Sequence, residues 1–164
     1  RMGLPYPSGP QIDELAKKGN SHKFIFPISK LSNYNVSYSG VKTAFINFIS
    51  NNEQKDPDFI KNNLVDLCAS LQYTLVQIIL NKIELVARDK NLTDSVIGGG
   101  VAANTEIRKQ LQDIVIKEDW ALSLPPMEYT TDNAAMIGIT AYYKILKKEY
   151  GSLKDSSNAR LKFN

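Results

Sequence analysis

Val96-Ile97-Gly98-Gly99-Gly100-Val101-Ala102-Ala103-Asn104 is the stretch from which the fold of this chain is read. Residues 94–97 are short, apolar and β-branched, which predicts a buried strand. Three glycines follow. Residues 105–117 then carry Ile107, Leu111, Ile114 and Val115 at helical spacing. A strand that passes through glycines into a helix makes a small-ligand site: backbone without Cβ lets a ligand come close, and the helix start offers unpaired N–H groups. The same pattern also fits a plain turn. It is not a dinucleotide fingerprint, because Ala103 stands where the third glycine of G-x-G-x-x-G would be.

Outward from this stretch, residues 120–124 read as a second short strand ended by Pro125-Pro126. Thr131 or Asp132 is placed to cap a helix reaching residue 149, with Ile137, Ala141, Ile145 and Leu146 facing inward. Strand–helix–strand–helix implies a small parallel sheet covered by helices, with ligands beyond the carboxyl ends of the strands. The glycines and residues 130–133 would then share one edge, so Asn104 and Asp132 are expected in one site. The longest helical pattern runs from Asp56-Pro57 to about Lys90, as one helix or two, with apolar residues every three or four positions from Ile60 to Val86. Cys68 lies on that apolar side and is expected to be inert core. Pro10 suits the first position of a short helix over residues 11–18, stopped by Gly19-Asn20. Residues 34–42 read as a strand or extended loop. Ser39 then caps a helix to Ser50 with Val41, Phe45, Ile46 and Ile49 inward, and Lys42 in its first turn.

The 164 residues suffice for one domain with a real core, and 43% hydrophobic with 23% charged residues is ordinary globular composition. No apolar run is expected to cross a bilayer, since Gln72, Gln77, Asn81 and Lys82 interrupt the best candidate. One cysteine excludes an internal disulfide, and the single histidine, His22, has no metal-binding neighbour in sequence. The net charge of +3 is concentrated at the end: residues 144–164 hold six Lys/Arg and two acids. That suits nucleic-acid phosphates or a solvated tail. No Ser/His/Asp set, paired-cysteine motif or Walker loop is present.

Four stretches taken together carry a resemblance: Gly3-Leu-Pro-Tyr-Pro-Ser-Gly-Pro10, Val36-Ser-Tyr-Ser-Gly-Val-Lys-Thr43, Gly98-Gly-Gly-Val-Ala-Ala-Asn104 and Thr131-Asp-Asn-Ala-Ala-Met136. In order and spacing, with an Arg-x-Lys ending at Arg160–Lys162, they resemble the TsaD family of tRNA threonylcarbamoyladenosine transferases, once described as glycoprotein endopeptidases. The resemblance implies an α/β fold: a helix-rich fragment of a lobe of the actin/Hsp70/sugar-kinase (ASKHA) type. Residues 1–164 would be one domain, the C-terminal lobe of a longer two-lobe protein whose N-terminal lobe is absent. It implies transfer of threonylcarbamoyl from threonylcarbamoyl-adenylate to the exocyclic amine of the adenosine beside the anticodon. Gly9, Asp13 and Asn104 correspond to adenylate-binding residues, and Asp132 to a ligand of an iron or zinc ion. Lys42 matches a motif position without an assigned role. Ser8 stands where the family commonly has glycine. The family's His-x-x-x-His and Ser-Gly-Gly motifs do not occur here, so the isolated chain is expected to be inactive. Implied partners are tRNA and the accessory proteins of the threonylcarbamoyladenosine pathway, with no membrane, in the cytoplasm or an organelle. Two rivals stand beside this reading: an ATP-binding lobe of a sugar-kinase or Hsp70-like protein, and an inactive paralogue serving as scaffold.

Overall fold

The apolar positions from Ile60 to Val86 lie on one uninterrupted helix of 32 residues, and the other elements gather around it. In this computed structural model, which describes residues 1–156, the order is α1 (Gly9–Ala16), α2 (Ser39–Glu53), α3 (Phe59–Lys90), β1 (Asp94–Val96), a 3₁₀ turn (Gly100–Ala103), α4 (Thr105–Glu118), β2 (Ala121–Ser123), a second 3₁₀ turn (Met127–Tyr129) and α5 (Ala134–Leu146). Two compact units result, Arg1–Thr130 and the segment from Thr131 onward.

In the first unit α3 serves two cores. Leu67 and Ile78 join Phe26, Val41, Phe45 and Ile49 on one side, while Val76 and Leu80 join Ile107 and Leu111 of α4 on another. A helix flanked on several sides buries more than one stripe. That is why polar Ser70, Gln72 and Thr74 are buried along with the apolar residues. Each is hydrogen-bonded, as burial demands: Ser70 Oγ donates to the Asn20 carbonyl and accepts from Phe24 N–H, both at 3.2 Å, and Thr74 donates to the Ser70 carbonyl at 2.9 Å. By length and composition α3 is apolar enough to cross a membrane, contrary to the expectation from its interrupting polar residues; half of that apolar window is buried within this fold. The helix ends where Asn91 turns left-handed (φ 50°), with the Leu92 and Asn91 amides bonding back to Ala87 and Arg88.

β1 and β2 pair in parallel, Ser95 opposite Leu122, which is the small parallel sheet expected. The burial expected of β1 is corrected: Asp94 and Val96 are exposed, Val96 at 80%. Only the face carrying Ile97 and Leu122 packs, against the Val76–Leu111 cluster. Residues 34–38 form a loop, and α2 starts at Ser39 with Tyr38, rather than Ser39, in the capping position. Asp58, rather than Asp56, precedes α3; the Asp56 carboxylate accepts from Asp58 N–H at 3.0 Å instead.

In the second unit α5 begins after Asn133, whose side chain accepts from Met136 N–H at 3.1 Å. The cap expected at Thr131 or Asp132 is thereby corrected. The inward face expected of α5 is corrected too: Ile137, Ala141, Ile145 and Leu146 are all exposed. Among the described residues of this unit α5 is the one regular helix, with no second element to bury it. The Arg160–Lys162 ending lies outside the described residues.

Candidate functional site

α1 and α4 meet over the middle of α3, and their meeting point is polar. Asp13, on α1, is 7% exposed. Its Oδ1 accepts from Gln72 Nε2 and from Thr105 Oγ1, each at 3.0 Å, and its Oδ2 accepts from Thr105 N–H at 3.1 Å. The last bond places a carboxylate at the first amide of α4, the positive end of that helix. Asn104 caps the same helix: its Oδ1 accepts from Ile107 N–H at 3.0 Å, and its Nδ2 donates to Gln72 Oε1, also at 3.0 Å. The helix predicted after the glycines therefore forms, but the 3₁₀ turn Gly100–Ala103 intervenes and leaves Asn104 as its cap. Arg108 holds this turn, donating to the Ala102 carbonyl at 2.5 Å and to the Pro125 carbonyl at 2.7 Å.

Gly9, Asp13 and Asn104 line one cavity of about 510 Å³, together with Pro10, Gly100 and Thr105. A Cβ built on Gly9, Gly98 or Gly100 would meet nothing within 4 Å, so no packing within the chain demands glycine there. Gly99 differs, since its φ of +84° suits glycine. Gly9 and Asn104 also border a second, more apolar cavity of about 440 Å³, walled by Ile12, Tyr38, Leu75 and Val101. Burial pushes the Tyr38 phenol above its ordinary pKa, so it stays neutral at physiological pH.

The three expected binding residues are thus brought together. Asp132 is exposed in the second unit. Among the described residues no three His, Cys, Asp or Glu side chains cluster to hold a metal ion, and one carboxylate does not make an iron or zinc site. Lys42 is exposed on the first turn of α2. His22 is exposed, its ring against Tyr73 (centroids 4.6 Å apart) and its Nδ1 paired with Ser21 Oγ at 2.9 Å. Cys68 is fully buried, and burial pushes its thiol to about 11. Two residues of the polar cluster, Gln72 and Thr105, are not singled out by the sequence. The available signal at Gln72 was an amide interrupting an apolar helical run.

Residues 1–139 match the family model described as TsaD: tRNA N6-adenosine threonylcarbamoyltransferase. Curated relatives bear the same description. The one from Christiangramia forsetii is 44% identical over 99% of this chain and 48% of its own length, and that from Cytophaga hutchinsonii 42% over 98% and 47%. That from Mesoplasma florum is 46% identical over 88% and 45%. The chain spans about half the length of the curated relatives it matches. With four ordered motifs, a helix-rich α/β unit with a parallel strand pair, and a family match over most of its residues, the chain belongs to the TsaD family.

Proposed function

We propose that this chain supplies the nucleotide-holding part of an enzyme that moves a threonylcarbamoyl group from threonylcarbamoyl-adenylate to the N6 amine of the adenosine beside the anticodon in tRNA. The observation that carries the reading is the convergence of Gly9, Asp13 and Asn104 on one cavity beside a more apolar one. Asp13 accepts three hydrogen bonds, and a carboxylate offers about four acceptor positions, so one remains for a ribose hydroxyl. Asn104 keeps one unused N–H and one lone pair for a nucleotide edge. The apolar compartment suits a purine face. In the transfer, N6 forms a bond to the carbamoyl carbon, the bond from that carbon to the adenylate phosphate oxygen breaks, the nucleoside monophosphate leaves with the electron pair, and N6 loses a proton. Holding the adenylate fixed while the amine approaches lowers the entropic part of that barrier.

Asp132 is proposed as one carboxylate of an iron or zinc site completed by residues outside this chain; alone it does not fit such an ion, and no step is routed through one. Residues 144–162, part of which lie outside the described residues, are proposed to meet tRNA phosphates, and the cytoplasm is the proposed compartment. Pathway accessory proteins are proposed partners of the whole enzyme, and Lys42 is proposed as a further contact. The test is calorimetry with a non-hydrolysable threonylcarbamoyl-adenylate analogue on an enzyme of the relatives' length carrying this sequence. Asn104→Ala weakens binding by about 1–3 kcal/mol, the cost of a lost hydrogen bond in a buried polar site. Unchanged affinity with an intact fold refutes the assignment.

A further inference from the structure

We infer that Gln72 is a positioning residue that holds Asn104 in the orientation in which it meets the ligand, an inference that rests on the reading of Asn104 just proposed. Gln72 sits in the middle of α3, 7% exposed, and touches both expected binding residues. It does not line the 510 Å³ cavity that they share, but it borders the apolar 440 Å³ cavity beside Asn104, so a direct contact with the ligand there is the alternative that the cycle below separates from positioning. Its direction is set by chemistry. Both Asp13 carboxylate oxygens act as acceptors, toward the Thr105 N–H and hydroxyl, and the Gln72 group facing Oδ1 at 3.0 Å is the NH₂. The Gln72 carbonyl oxygen therefore faces Asn104 and accepts from its NH₂ at 3.0 Å. That in turn aims the Asn104 carbonyl oxygen at Ile107 N–H, the capping bond at 3.0 Å. One carboxylate thus orients two amides in series, and a flip of either would set donor against donor or acceptor against acceptor.

The two ends of this relay depend on Gln72 unequally. Asp13 keeps both Thr105 donors if Gln72 is removed, at 3.1 and 3.0 Å, and so stays placed. Asn104 keeps its cap but loses the partner that holds its NH₂. The effect of losing Gln72 therefore passes mainly through Asn104, and a double-mutant cycle reads it. A residue that merely stabilised α3 would weaken binding equally whether or not Asn104 were present.

The experiment measures affinity for the non-hydrolysable threonylcarbamoyl-adenylate analogue in an enzyme of the relatives' length carrying this sequence, as parent, Gln72→Met, Asn104→Ala and both together. The expected result is that Gln72→Met raises Kd about five- to tenfold, the equivalent of one neutral hydrogen bond. In the Asn104→Ala background it should change Kd by less than about twofold. Parent-like affinity of Gln72→Met, with Asn104→Ala weakened, overturns the positioning role and leaves the proposed function standing. Equal weakening in both backgrounds also overturns it. No effect of Asn104→Ala overturns the site reading and this inference together. Near-ultraviolet circular dichroism checks the fold, and Gln72→Ala repeats the cycle if the Met variant does not fold. In the unsubstituted protein, equally free exchange with water of both Asn104 side-chain amide protons, the one donated to Gln72 included, would overturn the inference independently.

Discussion

Replacing Gly19 by alanine tests the tie between the helix packing and the site. Gly19 lies just beyond α1, where the chain presses on the N-terminal part of α3. A Cβ at this position would lie 2.2 Å from the Val65 carbonyl oxygen, 2.5 Å from its carbon and 2.9 Å from Asp66 N. All three are backbone atoms of a helix, so no side chain can swing aside. Real Cβ atoms essentially never come within 3.0 Å of such atoms, so α1 and α3 must part by about 0.8 Å at this point. Overpacking of this kind costs about 1–3 kcal/mol. The same displacement stretches the 3.0 Å bond from Gln72 to Asp13, which bridges the two helices, and a buried polar group left short of a partner adds about 1–3 kcal/mol. The expected loss is about 2–6 kcal/mol, a large share of the 5–15 kcal/mol typical of a domain. For a folding unit of this size it lowers Tm by about 5–20 °C. Differential scanning calorimetry of parent and variant reads it directly. Gly98→Ala is the control, since a Cβ there meets open space and should leave Tm nearly unchanged. A shift in Gly19→Ala no larger than in Gly98→Ala would refute the close packing of α1 on α3.

Three further outcomes are expected. Cys68, fully buried with its thiol pushed up to about 11, should resist iodoacetamide at pH 8 in the native protein and react only after denaturation; native-state labelling would contradict its core placement. The Asp66 carboxyl is held below the usual carboxylate range, chiefly by the hydrogen bond from Lys23 Nζ at 2.7 Å and then by Asn20 N–H at 2.8 Å. A carboxyl depressed in the folded state stabilises it above the unfolded value, about pH 3.9, and that contribution is lost as pH falls through the folded value. The Tm advantage of the parent over Asp66→Asn should therefore be present at pH 6 and shrink below about pH 4, and a pH-independent difference would sink this account. Asn133→Ala should weaken α5 by about 0.5–2 kcal/mol through loss of its cap, while Asp132→Ala leaves the helix intact, as read by hydrogen exchange of the α5 amides; the reverse order would restore the cap to Asp132.

Much of the local structure was legible in the sequence because its causes are local. The apolar period from Ile60 to Val86 predicts α3, the β-branched run before three glycines predicts β1, and the double proline predicts the end of β2. The burial of Cys68 follows from the same period. Cap positions were less legible: Asn133 rather than Thr131 or Asp132 makes the capping bond of α5, one of several neighbouring polar side chains able to do so, whereas Asp58 and Tyr38 hold the capping positions of α3 and α2 with no side-chain bond to the helix amides, which no local pattern announces. The family resemblance named Gly9, Asp13 and Asn104 but said nothing of how they meet. Their meeting was decided by packing, in hydrogen bonds that join Asp13 to residues 59 and 92 positions away. Gln72 belongs to the cluster for the same reason. An amide in an apolar helix is only an interruption along the chain, and it becomes a bridge when α1 and α4 close over it and exclude the water that would otherwise take its hydrogen bonds.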